Sequence, residues 1–166
     1  MDVLLIRHAE AGERDDAQWP DDDLRPVSDE GREKQTTCAR AMKKLGVKFE
    51  YLVTSPLLRA RETAAILAEV YGYQDEPQVS EALGHGCAAG TVVELLAKFP
   101  PHGRVALVGH EPAFSRVAAA LIGGPDADIT LKKSGVVGIA FDGPADVGAG
   151  SLAFLLKPGQ MRRLTR

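Results

Sequence analysis

The chain opens on an apolar run, Val3-Leu4-Leu5-Ile6, that ends abruptly at Arg7-His8. A continuous apolar run of this length predicts a strand over residues 2–7 that is buried on both faces. Residues 50–54 and 104–108 repeat the pattern, and residues 77–80 allow a brief strand. Residues 135–141 and 151–156 alternate or run apolar across a Gly/Asp/Pro-rich turn, which predicts a final antiparallel pair. Helices fill the intervals. Ser28 is an N-cap for a helix to about Leu45, which Gly46 ends. Pro56 opens a helix to about Tyr71, with Ala60, Ala64, Leu67 and Tyr71 as its apolar stripe and Gly72 as its stop. Thr91 to Phe99 predicts a third helix, broken by Pro100-Pro101, and Pro112 opens a fourth. Residues 10–27 are acidic and polar and read as a loop. This alternation predicts one α/β domain over residues 1–166: three layers, α/β/α, around a mainly parallel sheet of about six strands.

Composition narrows the classes. A chain of 166 residues, 45% hydrophobic and 26% charged, can bury a sizeable core. A net charge of -3 gives no basic footprint for nucleic acid. Cys38 and Cys87 are too few and too far apart for a disulfide framework or a CxxC zinc site, and fit a reducing compartment. No apolar run is long enough to span a membrane, and the N-terminal residues lack a basic leader, so a cytoplasmic location is expected.

Three strand-to-helix junctions carry the chemistry. They are Arg7-His8, Thr54-Ser55-Pro56-Leu57-Leu58-Arg59 and Gly109-His110-Glu111-Pro112. If the three strands are parallel, the junctions share one sheet edge, where open α/β sheets place their ligands. Two arginines and two histidines then face one crevice, and Arg59 falls in the first turn of its helix, where amides and dipole also favour an anion. That set suits phosphoryl transfer. Two guanidiniums can neutralise a phosphate dianion without a metal. One neutral imidazole can attack phosphorus, and the other can donate a proton or a hydrogen bond.

Other candidates have simpler readings. Arg61 points to a different helix face from Arg59 and is expected to pair with an acid such as Glu62 or Glu10. Ser55 lacks a GxSxG context, so it is read as a bond to the helix N-terminus or to a neighbouring Arg, with substrate contact as the alternative. His85 and Cys87 lack a second ligand pair, so they are read as a loop lining the pocket. His102 is read as exposed turn chemistry, and Asp21 to Asp23 as a solvated acidic loop. Arg162, Arg163 and Arg166 make a short basic end.

These motifs resemble the histidine phosphatase superfamily, also called phosphoglycerate mutase-like. Ile6-Arg7-His8 matches the family's opening strand and Arg-His. Residues 55–64, Ser-Pro-Leu-Leu-Arg-Ala-Arg-Glu-Thr-Ala, match its Ser-x-Leu-x-Arg-Ala-x-x-Thr-Ala. Gly109-His110 matches its later histidine after a strand, and Ala9 stands where the family usually has glycine. The resemblance implies that His8 is the phosphorylated nucleophile and that Arg7 and Arg59 bind phosphate. It makes His110 the second histidine of the pocket and requires no cofactor. For the proton donor it points to Glu81, after the third strand, with Glu10 as a rival.

Residues 22–31 and the short chain are most similar to SixA-type phosphohistidine phosphatases. This likeness implies a shallow, open site and phosphohistidine on a protein, such as a histidine-phosphotransfer domain, as substrate. A small phosphate ester is the alternative partner, and a phosphate-binding module without turnover is a third reading. Nucleic-acid and membrane partners are not expected. Oligomeric state is left open.

Overall fold

The computed structural model describes residues 1–124 and 126–165. Six strands form one sheet: β1 (Asp2–Arg7), β2 (Tyr51–Thr54), β3 (Gln78–Val79), β4 (Arg104–Gly109), β5 (Val136–Ala140) and β6 (Ser151–Leu156). Their spatial order is β3-β2-β4-β1-β5-β6. β1, β2, β3 and β4 pair in parallel, whereas β5 runs antiparallel to both β1 and β6. Thus β1, β2 and β4 all end at one edge, and the segment entering β5 begins there too.

Among the described residues five α-helices accompany the sheet: α1 (Asp29–Lys44), α2 (Leu58–Tyr71), α3 (Ala89–Leu96), α4 (Ala113–Leu121) and α5 (Pro158–Arg163). The two-residue period of a strand sorts them into layers. Val3 and Leu5 share one apolar cluster with Val92 and Leu96 of α3 and Phe114 and Leu121 of α4. Leu4 and Ile6 share the opposite one with Met42 of α1, Ala60 and Leu67 of α2 and Met161 of α5. The fold is therefore a three-layer α/β/α sandwich around a mainly parallel sheet, as the residue pattern implies. No helix among the described residues is long and apolar enough to cross a membrane.

Local chemistry sets the helix ends. The Ser28 hydroxyl accepts from Gly31 N at 3.1 Å, and Gly46 and Gly72 close α1 and α2 with φ of 79° and 67°. α2 begins two residues after Pro56, with extended Leu57 as its N-cap. α3 begins at Ala89, before the predicted Thr91, because the Thr91 hydroxyl accepts from Ala88 N at 3.1 Å. It also ends earlier, at Leu96. Nothing in the sequence pattern announced α5, since only Met161 among its six residues is buried and no apolar period develops.

Two glycines bring segments close to the site. A Cβ on Gly109 would lie 2.4 Å from the ring of Phe114, which is fully buried. A Cβ on Gly31 would lie 2.0 Å from the Glu10 carbonyl oxygen. That oxygen also accepts from Ser28 N at 3.0 Å, so the start of α1 is fastened to the segment following His8.

Candidate active site

The sheet edge brings Arg7, His8, Arg59 and His110 together. The backbone itself crosses between junctions: His8 N donates to the Gly109 carbonyl at 2.9 Å, and Ser55 N to the Val108 carbonyl at 2.9 Å. Ala9 N donates to the Thr63 hydroxyl at 2.9 Å, and that hydroxyl donates to the Arg59 carbonyl at 2.6 Å. Buried Thr63 thus ties the loop after His8 to the turn of α2 that carries Arg59.

His8 is recessed, with 7% of its surface exposed. Its Nδ1 lies 2.6 Å from the Ala9 carbonyl oxygen. A carbonyl only accepts, so Nδ1 carries the proton and Nε2 keeps its lone pair. Burial pushes the ring's pKa down to about 3, and the positive charges of His110, Arg59 and Arg7 push the same way. The bond to Ala9 opposes them and loses. At neutral pH this is an uncharged imidazole with one free nucleophilic nitrogen.

The His110 ring centroid lies 5.1 Å from that of His8, with the planes tilted by 49°. Burial lowers its pKa to about 4, reinforced by Arg59 and His85 and opposed by Asp23. Its Nε2 lies 2.7 Å from the Ser55 hydroxyl, while its buried Nδ1 has no protein partner among the described residues. Ser55 is fully buried, and its hydroxyl also accepts from Leu57 N at 3.3 Å. Both contacts place Ser55 beneath His110, holding that ring and the start of α2.

The two arginines have different surroundings. Arg7 donates to the Leu131 carbonyl at 2.9 Å, and its Nε is buried without a partner. Arg59 is 8% exposed and donates to the Asp22 carbonyl at 2.8 Å, with the Asp22 carboxylate 3.4 Å from its Nη2. Its Nε is also buried and unpartnered. Each guanidinium therefore retains donors for an anion.

The Asp22 contact corrects the reading of Asp21 to Asp23 as a solvated loop. Asp22–Leu24 form a 3₁₀ turn, and Asp22 also accepts from Arg25 Nε at 2.8 Å. That bond and the Arg25 and Arg59 charges hold the Asp22 carboxyl below its usual range against the opposing effect of burial. The Asp23 carboxylate lies 2.8 Å from His85 Nε2, joining this turn to the glycine-rich loop after β3. The site is thus flanked by a short acidic strap. Individual loop residues were readable in sequence, but long-range contacts of this kind leave no periodic signal.

Arg61 is a second correction. It is exposed and forms neither expected pair. Glu62 instead takes Arg32 and accepts from Val27 N at 2.6 Å, while Glu10 pairs with Lys34 at 2.8 Å. Those partners reach the acids first because α1 and its leading loop pack over them. Glu81 is exposed at the start of a 3₁₀ turn (Glu81–Leu83), and no hydrogen bond or ion pair joins its carboxylate to either pocket histidine among the described residues. Cys87 packs against the apolar cluster beneath α3 and α4, and burial pushes its thiol up to about 11. His102 is exposed in a turn. Arg166 lies outside the described residues. Among those described, no group of three or more His, Cys, Asp or Glu is arranged to hold a metal ion.

Residues 3–86, half of the chain, match the histidine phosphatase superfamily (branch 1). The chain belongs to that superfamily. An uncharacterized protein of Picosynechococcus sp. is 34% identical over 142 residues, covering 84% of each chain. Among solved structures, the protein histidine phosphatase SixA complexed with tungstate superposes with a TM-score of 0.82 at 22% identity, covering 97% of this chain and 99% of that one. A phosphoserine phosphatase from Entamoeba histolytica, in complex with 3-phosphoglyceric acid, gives a TM-score of 0.71 at 16% identity, covering 96% and 98%. These likenesses establish the phosphoglycerate mutase-like fold, and superfamily membership makes the chain a phosphatase.

Proposed function

We propose that this histidine phosphatase hydrolyses phosphohistidine on a protein through a phosphohistidine intermediate at His8. The observation that carries the reading is the His8 ring itself: buried, neutral, with Nδ1 fixed on the Ala9 carbonyl and Nε2 free beside two guanidiniums. In the first step His8 Nε2 forms a bond to phosphorus while the bond from phosphorus to the substrate's imidazole nitrogen breaks, and the substrate ring, protonated at its other nitrogen, leaves as neutral imidazole. Arg7 and Arg59 stabilise the charge on the equatorial oxygens, and His110 supplies a further hydrogen bond from Nδ1. Ser55 fixes His110 as a positioning residue. In the second step water attacks phosphorus, the bond to Nε2 breaks, and inorganic phosphate leaves with neutral His8 restored.

The choice of phosphohistidine over an ester rests on the leaving group. An alkoxide, with a conjugate-acid pKa of about 15 like that of bulk water, strongly needs a proton. A phosphohistidine ring protonated at its other nitrogen releases neutral imidazole, whose conjugate acid has a pKa of about 6.5, and needs far less help. Neither pocket histidine is bonded to a carboxylate among the described residues, and Glu81 is exposed, which favours the better leaving group. The single-domain, metal-independent and cytoplasmic readings belong to the same proposal.

The test compares a phosphorylated histidine-phosphotransfer domain with a panel of small phosphate esters, with EDTA present throughout. The expected result is faster turnover of the phosphoprotein, unaffected by EDTA. Faster turnover of one ester would move the substrate to the small-molecule reading. Phosphate binding without any turnover would reduce the chain to a binding module.

A further inference from the structure

A groove of about 310 Å³ lies beside Arg7, bounded by Lys34, Lys132, Lys133 and Arg162, with Glu10 and Pro158 completing its wall. Five cations and one carboxylate line it, although the chain as a whole carries -3. Four separate segments supply these cations: β1, α1, the turn entering β5, and α5. Lys34 is taken by two carboxylates, Glu10 at 2.8 Å and Glu30 at 2.6 Å, and its bond with the charges of Lys133 and Arg162 keeps the Glu10 carboxyl ionised, below the usual range. Lys132, Lys133 and Arg162 form no ion pair among the described residues.

The turn that carries the two lysines is fastened to the nucleophile. Ser134 N donates to the Arg7 carbonyl at 3.1 Å and to the His8 carbonyl at 3.2 Å. Gly135 N returns to the Lys132 carbonyl at 2.8 Å, closing a tight turn. Ser134 adopts a φ of 62°, a left-handed conformation that is costly for a side chain with a Cβ, and it is 3% exposed. Lys132 and Lys133 are therefore held beside the phosphate site by backbone bonds while their side chains remain exposed. A single phosphate needs only the Arg7 and Arg59 guanidiniums. Lys132, Lys133 and Arg162, three further cations spread around an open groove, suit several carboxylates along a polypeptide.

We propose that this groove is a docking subsite for Asp and Glu side chains flanking the phosphorylated residue of a protein substrate. The proposal rests on the phosphoprotein reading above. Attraction between exposed charges and an acidic partner acts mainly on encounter and KM, and salt screens it.

Two phosphohistidine peptides, one with Asp/Glu flanks and one with Ser/Asn flanks, test it against the wild type and the triple variant Lys132→Glu/Lys133→Glu/Arg162→Glu. Wild type is expected to favour the acidic peptide in kcat/KM by about tenfold, a preference that the variant loses and that high salt erases. Equal kcat/KM for the two peptides in wild type, or a preference that survives in the variant, would overturn the subsite. The triple variant Lys132→Gln/Lys133→Gln/Arg162→Gln repeats the comparison without reversed charge. A non-phosphorylated Glu-rich peptide separates this proposal from the substrate reading, with p-nitrophenyl phosphate turnover as readout. If phosphohistidine is not cleaved but the peptide inhibits wild type and spares the variant, the substrate reading fails and the groove stands. If phosphohistidine is cleaved without an acidic preference, the groove fails and the substrate reading stands.

Discussion

The pocket has two arginines with opposite neighbours. Arg59, on the β2 and β3 side, already holds a carboxylate and a carbonyl of Asp22, with Asp23 and His85 bridged alongside. Arg7, on the β5 and β6 side, holds one backbone carbonyl and opens onto a groove of four more cations. An anion approaching Arg59 must share it with an internal acid. An anion approaching Arg7 meets the cations of that groove, with Glu10 on its wall and the Glu111 charge acting on Arg7 from the other junction. Under the proposed function the two would therefore have different work to do: Arg59, partly neutralised, would hold the phosphate alone, while Arg7 would join it to whatever flanks it.

Removing either arginine breaks the comparison most severely. Arg7→Ala and Arg59→Ala are each expected to lower kcat/KM by about 10²–10³, the cost of losing a preorganised group that stabilises transition-state charge. The two should part in salt dependence: Arg59→Ala keeps any preference for acidic substrates, and Arg7→Ala weakens it. Steady-state kinetics at low and high salt measure this, and identical salt profiles would remove the asymmetry.

Ser55→Ala comes next. It leaves His110 Nε2 buried without its 2.7 Å partner, at a cost of about 1–3 kcal/mol in stability. Turnover should fall more than KM rises, because a mobile His110 misaims its hydrogen bond in the transition state. Ser55→Thr, which retains a hydroxyl, should recover part of the loss. Denaturation midpoints and the kcat against KM split report the two effects separately.

Protons act in one direction on both histidines. Their folded pKa values, about 3 for His8 and about 4 for His110, lie below the ordinary value of 6.5. Between those limits the unfolded chain binds more protons than the folded one. Their contribution to stability is therefore complete above about pH 6.5 and is lost as pH falls toward 3. Urea denaturation at pH 7, 5.5 and 4 should show a falling midpoint, with a shallower fall in His8→Ala. A midpoint independent of pH would contradict the burial of neutral imidazoles.

The gentlest change sharpens the contrast. Asp22→Asn keeps the carbonyl bond to Arg59 but removes the charge 3.4 Å from it. Inorganic phosphate should then inhibit about two- to fivefold more tightly, the scale of a partly exposed ion pair. Unchanged inhibition would mean that Asp22 does not compete for Arg59.

The sequence made one half of this arrangement readable. Arg7, His8, Arg59 and His110 each follow an apolar strand at the same edge, so strand periodicity and chain order suffice to place them together. What lies around them depends on contacts across long stretches of chain. Asp22 meets Arg59 across 37 positions, and His85 meets Asp23 across 62. Neither pair has a period or spacing that betrays it. The Arg61 expectation failed for the same reason, since Glu62 and Glu10 are taken by Arg32 and Lys34 of α1. α5 was silent because one buried methionine makes no pattern, yet it carries Arg162 to the groove beside Arg7.

The account stands on His8 as the atom-bearing nucleophile. Rapid acid-free quenching of wild type during turnover of a radiolabelled phosphohistidine protein, followed by peptide mass spectrometry, tests it most directly. The account predicts an acid-labile, alkali-stable phosphoryl group on His8 that forms and decays at rates consistent with kcat, and no label in His8→Ala. Turnover that proceeds undiminished in His8→Ala, or label on His110 in its place, would contradict it.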